Sequence, residues 1–455
     1  MKNIYLLIIV SVLSLTSCDE DGFLDKQPYD KITIDNLIVD YQTFETAVNG
    51  VYNIFQQTYY YNSYYTILPD LMSDNAFNNN YFVFSDIDKY ETTAEDKYAA
   101  RVWSKISSLI AQSSIVIRKA EEFDFGSKQE EANNLIGQLY ITRGLAYFDM
   151  QRLFAQPYNY TNDASHPGIP IIDEEMIGIE IQSPSRSTTK EAFDKIIEDF
   201  NKGMEIIGDD NSSVYYINKN SAKALLARIY LYMENWEKAN DLATEVINSN
   251  SYSLIPNSEY IVSWTQDFTT ESIFSIVNLP TDYSRFASVT YYYGRKRYLA
   301  TDDLYNSFDD DDVRKNLISD NKVLKYTSPG YDDNIPVIRL SELYLIKAEA
   351  LAELNDDEGA RDALNIIHQR ANPAAPDFTE SGDALKDIIL EERRKELMFE
   401  GHRLFDLTRK KKDFIKYSTS LSTPISITYP NNLTILPIPQ SEMDSNDNMQ
   451  QNPGY

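Results

Sequence analysis

The chain has 455 residues, a formal net charge of −28 and a pI near 4.5. So acidic a chain repels nucleic acid and anionic membrane surfaces, and neither is an expected partner. One cysteine excludes an internal disulfide framework, and three histidines far apart in sequence argue against a His-rich metal site.

Lys2 is followed by an apolar run, Ile4 to Leu15, and then by Thr16, Ser17 and Cys18. The run is shorter than the about 20 apolar residues needed to span a bilayer, but it suits a signal peptide. The lone cysteine there resembles a bacterial lipobox. That resemblance implies a signal peptide over 1–17, a lipidated Cys18 and a tether over 18–42. An ordinary signal peptide with a spare cysteine is the alternative. No later segment is apolar enough to cross a membrane, so anchoring is expected from lipid, which holds stably with two or more acyl chains. Asp19, Glu20 and Asp21 follow the cysteine. They resemble the signal that sends lipoproteins to the outer face of the cell in the Bacteroidetes.

Helical spacing predicts helices over 43–55, 97–120 and 135–154, the last ended by Pro157. Between the first two, 68–86 reads as a polar loop rich in Asn and aromatics. Pro167-Gly168-Ile169-Pro170 cannot continue a helix or sit in a central strand. Ser187 with Glu191 opens a helix that runs to 207. Residues 221–248 read as a helical hairpin turning at Asn235, and 339–367 as a second turning at Asn355-Asp356-Asp357. Small residues facing large ones across a short turn are the pattern of a tetratricopeptide repeat. Roughly 120 residues separate the two hairpins, against ~34 in a tandem array, so the fold must bring them together.

Residues 273–277 form a strand-like run, and 283–298 a loop rich in Tyr and Arg. Asp309 to Asp312 offer carboxylates for calcium, but the run lacks the glycine and terminal glutamate of an EF-hand. A solvated turn before Arg314 is the preferred reading. Residues 383–411 read as one long helix. Pro424, Pro430, Pro437, Pro439 and Pro453 argue against regular structure beyond it. The expected fold is mainly α: tetratricopeptide-like hairpins as a scaffold, with long irregular loops and a few short strands.

Several segments, in order, resemble the SusD/RagB family of outer-membrane nutrient-binding lipoproteins. They are Phe23-Leu24-Asp25 with Pro28, the run Ala47 to Tyr52, Arg143 to Asp149 with Arg152, and Gly168-Ile169-Pro170. Arg339 to Ala350 follows, with Glu342 and Glu349. The strongest match is Glu392 to Arg403, with Asp406, Leu407 and Arg409. Leu436 to Glu442 and Asn452 to Tyr455 complete it. Ala155-Gln156 and Leu404 depart from the usual pattern. The resemblance implies one SusD-like domain over 43–455, with an N-terminal half at about 19–215 and a C-terminal half at about 260–455. It also implies a partner, a TonB-dependent outer-membrane barrel of the SusC kind. The lipoprotein would cover that barrel as a lid at the cell surface.

Glu392, Arg393, Glu396, Glu400, Arg403, Asp406 and Arg409 read physically as scaffold, as do the matching Arg339, Glu342 and Glu349. Arg393, Arg403 and Arg409 can pin loops through carboxylates and carbonyls, and Glu391 with Lys395 is a favourable i,i+4 pair. No nucleophile elbow, phosphate loop or paired-histidine motif is present, so no enzyme and no cofactor is expected. His166, His368 and His402 read as surface or hydrogen-bonded residues. Trp103 and Trp236 read as core, and Trp264 is ambiguous.

Two loops stand out as ligand candidates. One holds Asp74, Asn75, Asn78, Asn79, Asn80, Tyr81 and Phe82; the other holds Tyr283, Arg285, Tyr291, Tyr292, Tyr293 and Arg295. The resemblance implies that aromatic faces beside Asn, Asp and Arg grip glycans there. The main hypothesis is oligosaccharide binding for import. The rivals are a peptide-binding lid, a surface glycosidase with a carboxylate pair, and a structural surface lipoprotein.

Overall fold

The computed structural model describes residues 34–455 except 173, 176, 178, 179, 181, 209–212, 282–284 and 419–422. The leader, Cys18, the acidic residues after it and Tyr283 therefore lie outside the described residues. The main helices are α1 (Tyr41–Phe55), α2 (Tyr64–Leu71), α3 (Lys97–Glu121), α4 (Gln129–Phe154), α5 (Thr189–Ile206), α6 (Lys219–Tyr232), α7 (Trp236–Asn248), α8 (Leu340–Glu353), α9 (Asp357–Ala371), α10 (Gly382–Glu396) and α11 (Arg403–Arg409). Among the described residues, strands form five two-stranded antiparallel ladders. β1 (Ala76–Asn78) pairs β5 (Tyr298–Ala300), β2 (Pro167–Pro170) pairs β3 (Arg186–Thr188), and β4 (Ser272–Ile276) pairs β8 (Ile335–Arg339). β6 (Ile318–Ser319) pairs β7 (Lys322–Val323), and β9 (Phe414–Lys416) pairs β10 (Ile425–Ile427).

The architecture is mainly helical, as the sequence pattern predicts. The two hairpins share one local code. Glu234 and Asn355 take a left-handed backbone, with φ of 58° and 64°. The next residue, Asn235 or Asp356, then caps the following helix by accepting from Lys238 N or Gly359 N. α8 packs directly on α7, so the fold does join hairpins that lie far apart in sequence. Arg228 of α6 clamps Glu342 of α8, with Nε donating to Oε1 at 2.7 Å. A second apolar cluster fills the space between α8, α9 and α10, through Leu345, Ala348, Leu364, Ile367 and Ile389.

α4 and α5 approach closely because two glycines face each other. A Cβ on Gly203 would lie 2.5 Å from Ile141 Cγ1 and 2.7 Å from the Gly137 carbonyl oxygen. Gly203→Ala is expected to cost about 1–3 kcal/mol through overpacking. Gly50 sits in α1 with no atom near its virtual Cβ, and Gly50→Ala should instead stabilise by about 0.5–1 kcal/mol. Urea midpoints of the two variants check the contrast.

Several predicted boundaries are corrected. α4 begins at Gln129, not Leu135. Thr188 rather than Ser187 caps α5, in a reciprocal box with Glu191. The 68–86 segment is not one loop: it contains the end of α2, β1 and a short helix, Ser85–Asp88. Residues 283–298 are likewise not all loop, since Val289–Gly294 is helical and β5 follows. Despite the prolines, β10 and the helix Gln440–Ser445 form beyond 424.

The largest correction is at 383–411, where the single predicted helix is broken. α10 stops at Glu396, and Phe399 and Gly401 take φ of 64° and 81° before α11 begins. The buried turn satisfies its backbone groups from distant parts of the chain. Phe399 N and Gly401 N donate to the Asp70 carboxylate at 3.1 and 2.9 Å. Arg339 Nη2 donates to the Glu396 carbonyl, Lys325 Nζ to Met398 and Tyr326 Oη to Phe399. These buried peptide groups thus keep partners after the chain leaves the helix.

The charges of the Arg339–Glu349 and Glu392–Arg409 segments form a buried lattice around this turn. Glu396 takes Arg339, Arg370 and Arg314; Glu392 takes Arg314; Glu400 takes Arg339 and Lys325. Arg409 pairs with Glu349 and Asp406, and Arg393 with Asp406. Glu391 turns to Arg394 and Arg403 instead of the expected Lys395. In the acidic run, Asp312 is buried against Arg314 and Asp310 pairs with Lys315. Asp312 is thus not part of a solvated turn.

His166 is hydrogen-bonded to Thr161 and the Gln156 carbonyl, and His368 lies on the Phe378 ring. His402 departs from expectation. It is buried, its Nδ1 has no partner among the described residues, and burial holds its pKa well below the ordinary value.

Candidate ligand-binding site

Antiparallel pairing of β1 with β5 brings the two candidate loops side by side. Asn78 lies opposite Tyr298. Asn79 continues the contact, its N donating to the Arg297 carbonyl at 2.9 Å and its Nδ2 to the Lys296 carbonyl at 3.0 Å.

The pairing separates the candidates into two layers. Asp74, Asn75, Asn78, Tyr292 and Tyr293 are buried and serve the scaffold, so they are withdrawn as ligand contacts. Asp74 accepts from Arg403 Nε and Nη2 at 2.8 and 2.9 Å. Burial raises its pKa, but Arg403 and Arg394 outweigh that and hold the carboxyl below the usual range. Asn75 bridges Asp70 and Arg394. Asn78 accepts from Tyr81 N and donates to the Val83 carbonyl, shaping the turn that presents Tyr81 and Phe82. Tyr292 stacks on Tyr298 with centroids 5.4 Å apart, and Tyr293 on Tyr326 at 6.2 Å. A helix turns about 100° per residue, so the consecutive tyrosines of Val289–Gly294 cannot all face outward.

The outer layer is an aromatic ridge. Phe82 is 70% and Phe286 67% exposed. Phe82 leans on the half-buried Tyr81, 4.6 Å between centroids. Tyr291 meets Phe286 at 5.8 Å and Tyr331 at 6.1 Å, and both Tyr81 and Tyr291 rest on Tyr292. Arg297 lies 4.6 Å over the Tyr81 ring and Arg295 5.9 Å over Tyr331. The Tyr81 phenol is pushed above its ordinary pKa, first by burial and then by Tyr291, so it stays a neutral donor. Asn79 and Asn80 are exposed beside the rings. The ridge thus offers apolar ring faces flanked by amides and guanidiniums.

Arg285 begins the short turn Arg285–Ala287 that carries Phe286. Phe286 and Tyr331 were missed from sequence. Phe286 lies inside the aromatic segment that drew attention, but Tyr331 reaches the ridge from a loop with no such signal. Trp264 lies elsewhere, in the wall of a cavity lined by Tyr260, Asn278, Lys325, Tyr326 and the 327–334 loop. Trp103 is buried and Trp236 packs partly buried against the core.

Comparison with known proteins identifies the family of the fold. A profile described as the SusD family matches residues 208–455, and one described as starch-binding associating with outer membrane matches 22–231. SusD-like protein P38 of Formosa agariphila is 25% identical, over 90% of this chain and 92% of that protein. The starch-binding protein SusD of Bacteroides thetaiotaomicron is 32% identical, over 36% of this chain and 29% of its own length. The crystal structure of a SusD superfamily protein from Bacteroides vulgatus superposes with a TM-score of 0.84 at 28% identity, covering 92% of this chain and 100% of the other. With more than half of its length matched by the family profile, the chain belongs to the SusD family.

Proposed function

We propose that this protein is a cell-surface carbohydrate-binding lipoprotein that holds neutral oligosaccharide on the ridge of Phe82, Tyr81, Tyr291, Phe286 and Tyr331. The observation that carries the reading is this row of rings, two of them largely exposed, beside exposed Asn79 and Asn80. Sugar C–H faces stack on rings while hydroxyls pair with amides and guanidiniums. The match to a starch-binding profile and the partial match to a starch-binding protein support the same ligand class. By the same reading, lipid on Cys18 anchors the chain in the outer membrane. It delivers its ligand to a SusC-like TonB-dependent barrel, with no chemistry of its own.

The test is calorimetry of the protein with neutral oligosaccharides of α- and β-linked glucose, xylose, mannose and galactose, and with mixed peptides. One glycan class should bind saturably. Phe82→Ala and Phe286→Ala should each weaken it about tenfold, the scale of one lost aromatic anchor. Both side chains are exposed, so stability should hold. Binding to peptides alone would make the protein a peptide-importing lid.

A further inference from the structure

The chain carries 70 acidic against 42 basic residues, so a cation has carboxylates in plenty to pair with. Most arginines among the described side chains do so. Arg118, Arg186 and Arg361 donate to backbone carbonyls instead. Arg101, Arg295 and Arg297 have neither kind of partner among the described residues, and all three lie over tyrosine rings.

The three rings belong to one aromatic cluster. Arg297 stands 4.6 Å over Tyr81 and Arg295 5.9 Å over Tyr331, both rings of the ridge. Arg101, near the start of α3, stands 4.9 Å over Tyr59. Tyr59 meets Tyr64 at 5.1 Å, and Tyr64 meets Tyr292, the ring beneath the ridge, at 6.4 Å. Lys296 shows how local the arrangement is. Its φ is 54° and it pairs with Asp320 at 2.5 Å, while the arginines on either side of it turn to the rings.

Stacking accounts for where these guanidiniums sit and leaves their hydrogen-bonding capacity unspent. A guanidinium over a ring presents its face to it, and its N–H donors lie in its own plane. Hydroxyls alone do not require such groups, since the amides of Asn79 and Asn80 are exposed beside the same rings. Fixed positive charge gains most from an ionised acceptor. The acidic balance of the chain does not cancel it, because screening limits exposed charges to about 8 Å at physiological ionic strength. The carboxylates on the loop of Tyr331 are engaged elsewhere, Asp332 by Ser328 and Asp333 by Thr290. We propose that the ridge selects, among oligosaccharides of the class it holds, those that also bear a carboxylate or sulfate ester, and that Arg295 and Arg297 bind this acid group. The proposal rests on the carbohydrate reading of the ridge and extends it. Neutral units occupy the rings, the acid group adds charge-assisted hydrogen bonds, and Arg101 adds positive potential at the flank.

The test is calorimetry of the protein with matched pairs: oligomers of galactose and galacturonate, of mannose and mannuronate, of xylose with and without glucuronate, and of galactose with and without sulfate. In the pair that binds, the acidic member should bind about tenfold tighter than its neutral parent, the scale on which a charge-assisted hydrogen bond exceeds a neutral one. That ratio should fall toward one in about 1 M NaCl, where the screening length is about 3 Å. It should also fall toward one in Arg295→Gln/Arg297→Gln. Arg295→Lys/Arg297→Lys keeps the charge without the planar fork and should retain part of the ratio. A thermal melt checks that the variants are folded. If the double Gln variant is not, Arg295→Gln alone, at an exposed residue, must lower the ratio. A ratio of one or below in the wild type, or a ratio that survives the loss of both arginines, overturns the proposal. Saturable binding of the neutral parent then still upholds the ridge reading. If no sugar of either kind binds, both readings fail, and binding of acidic peptides alone overturns the ligand class.

Discussion

Arg339→Ala is expected to destabilise the protein by about 3–5 kcal/mol, the cost of leaving buried charge without its partner. Arg339 is 5% exposed. Its Nε donates to Glu400 at 2.9 Å, and Nη1 reaches Glu271 at 3.1 Å and Glu396 at 2.5 Å. Nη2 also caps the last carbonyl of α10. Removing it leaves three buried carboxylates underneutralised and opens the turn that joins α10 to α11. Arg314 and Arg370 still hold Glu396, so partial structure should persist and the loss should be measurable rather than total. Arg339→Lys keeps the charge but not the planar fork, and should fall between. The measurement is the urea midpoint, with the slope of the transition as a check that the unfolded state is unchanged. Lys190 makes only an exposed pair with Asp194, and Lys190→Ala should barely move the midpoint. Equal losses in Arg339→Ala and Lys190→Ala would refute the lattice as a source of stability.

That lattice also marks where sequence reading succeeds and fails. α1 and α3 were legible because each buries one stripe: Phe44, Val48, Val51 and Phe55 in α1, and Val102, Ile106, Leu109 and Ile117 in α3. α2 was not legible because every one of its residues is buried, Asp70 and Pro69 included. A helix without a solvent face has no periodic signal, and its aspartate reads as loop. The break after α10 was hidden for a related reason. Leu397, Met398 and Phe399 are apolar and buried, so the helical pattern runs on. What stops the helix is the set of partners from Asp70, Lys325, Tyr326 and Arg339, far away in sequence.

The site shows the same split. Both loops were found by composition, but their individual residues were not resolved. Asp74 and Asn75 look like sugar-binding groups and instead hold Arg403 and Arg394. Tyr292 and Tyr293 look like platforms and instead stack inward. Much of the tyrosine richness thus builds the support under the ridge, where rings pack edge to face and parallel. Phe286 is plainly exposed, yet only the fold reveals it.

Acid should unfold the protein through carboxylates of that lattice. Burial by itself would raise the pKa of Glu349, but Arg409, Lys410 and Arg393 overcome it and hold the group at about 2. Burial likewise opposes Arg314, His368 and Lys395 at Glu392, which also sits at about 2. An unfolded glutamate titrates near about 4.3. Both folded values are depressed, so the stability they contribute is fully present above about pH 4.3 and is lost as pH falls toward about 2. Each group then contributes up to about 3 kcal/mol at neutral pH. The urea midpoint should therefore change little from these groups between about pH 7 and 5, and fall steeply between about 4 and 2. Glu349→Gln removes one titrating group. The variant should be weaker at neutral pH but lose stability more slowly in acid, by up to about 1.4 kcal/mol per pH unit. Wild type and variant curves should therefore converge toward about pH 2. Parallel curves across that window would mean that Glu349 titrates normally and that its pairing with Arg409 carries no linkage.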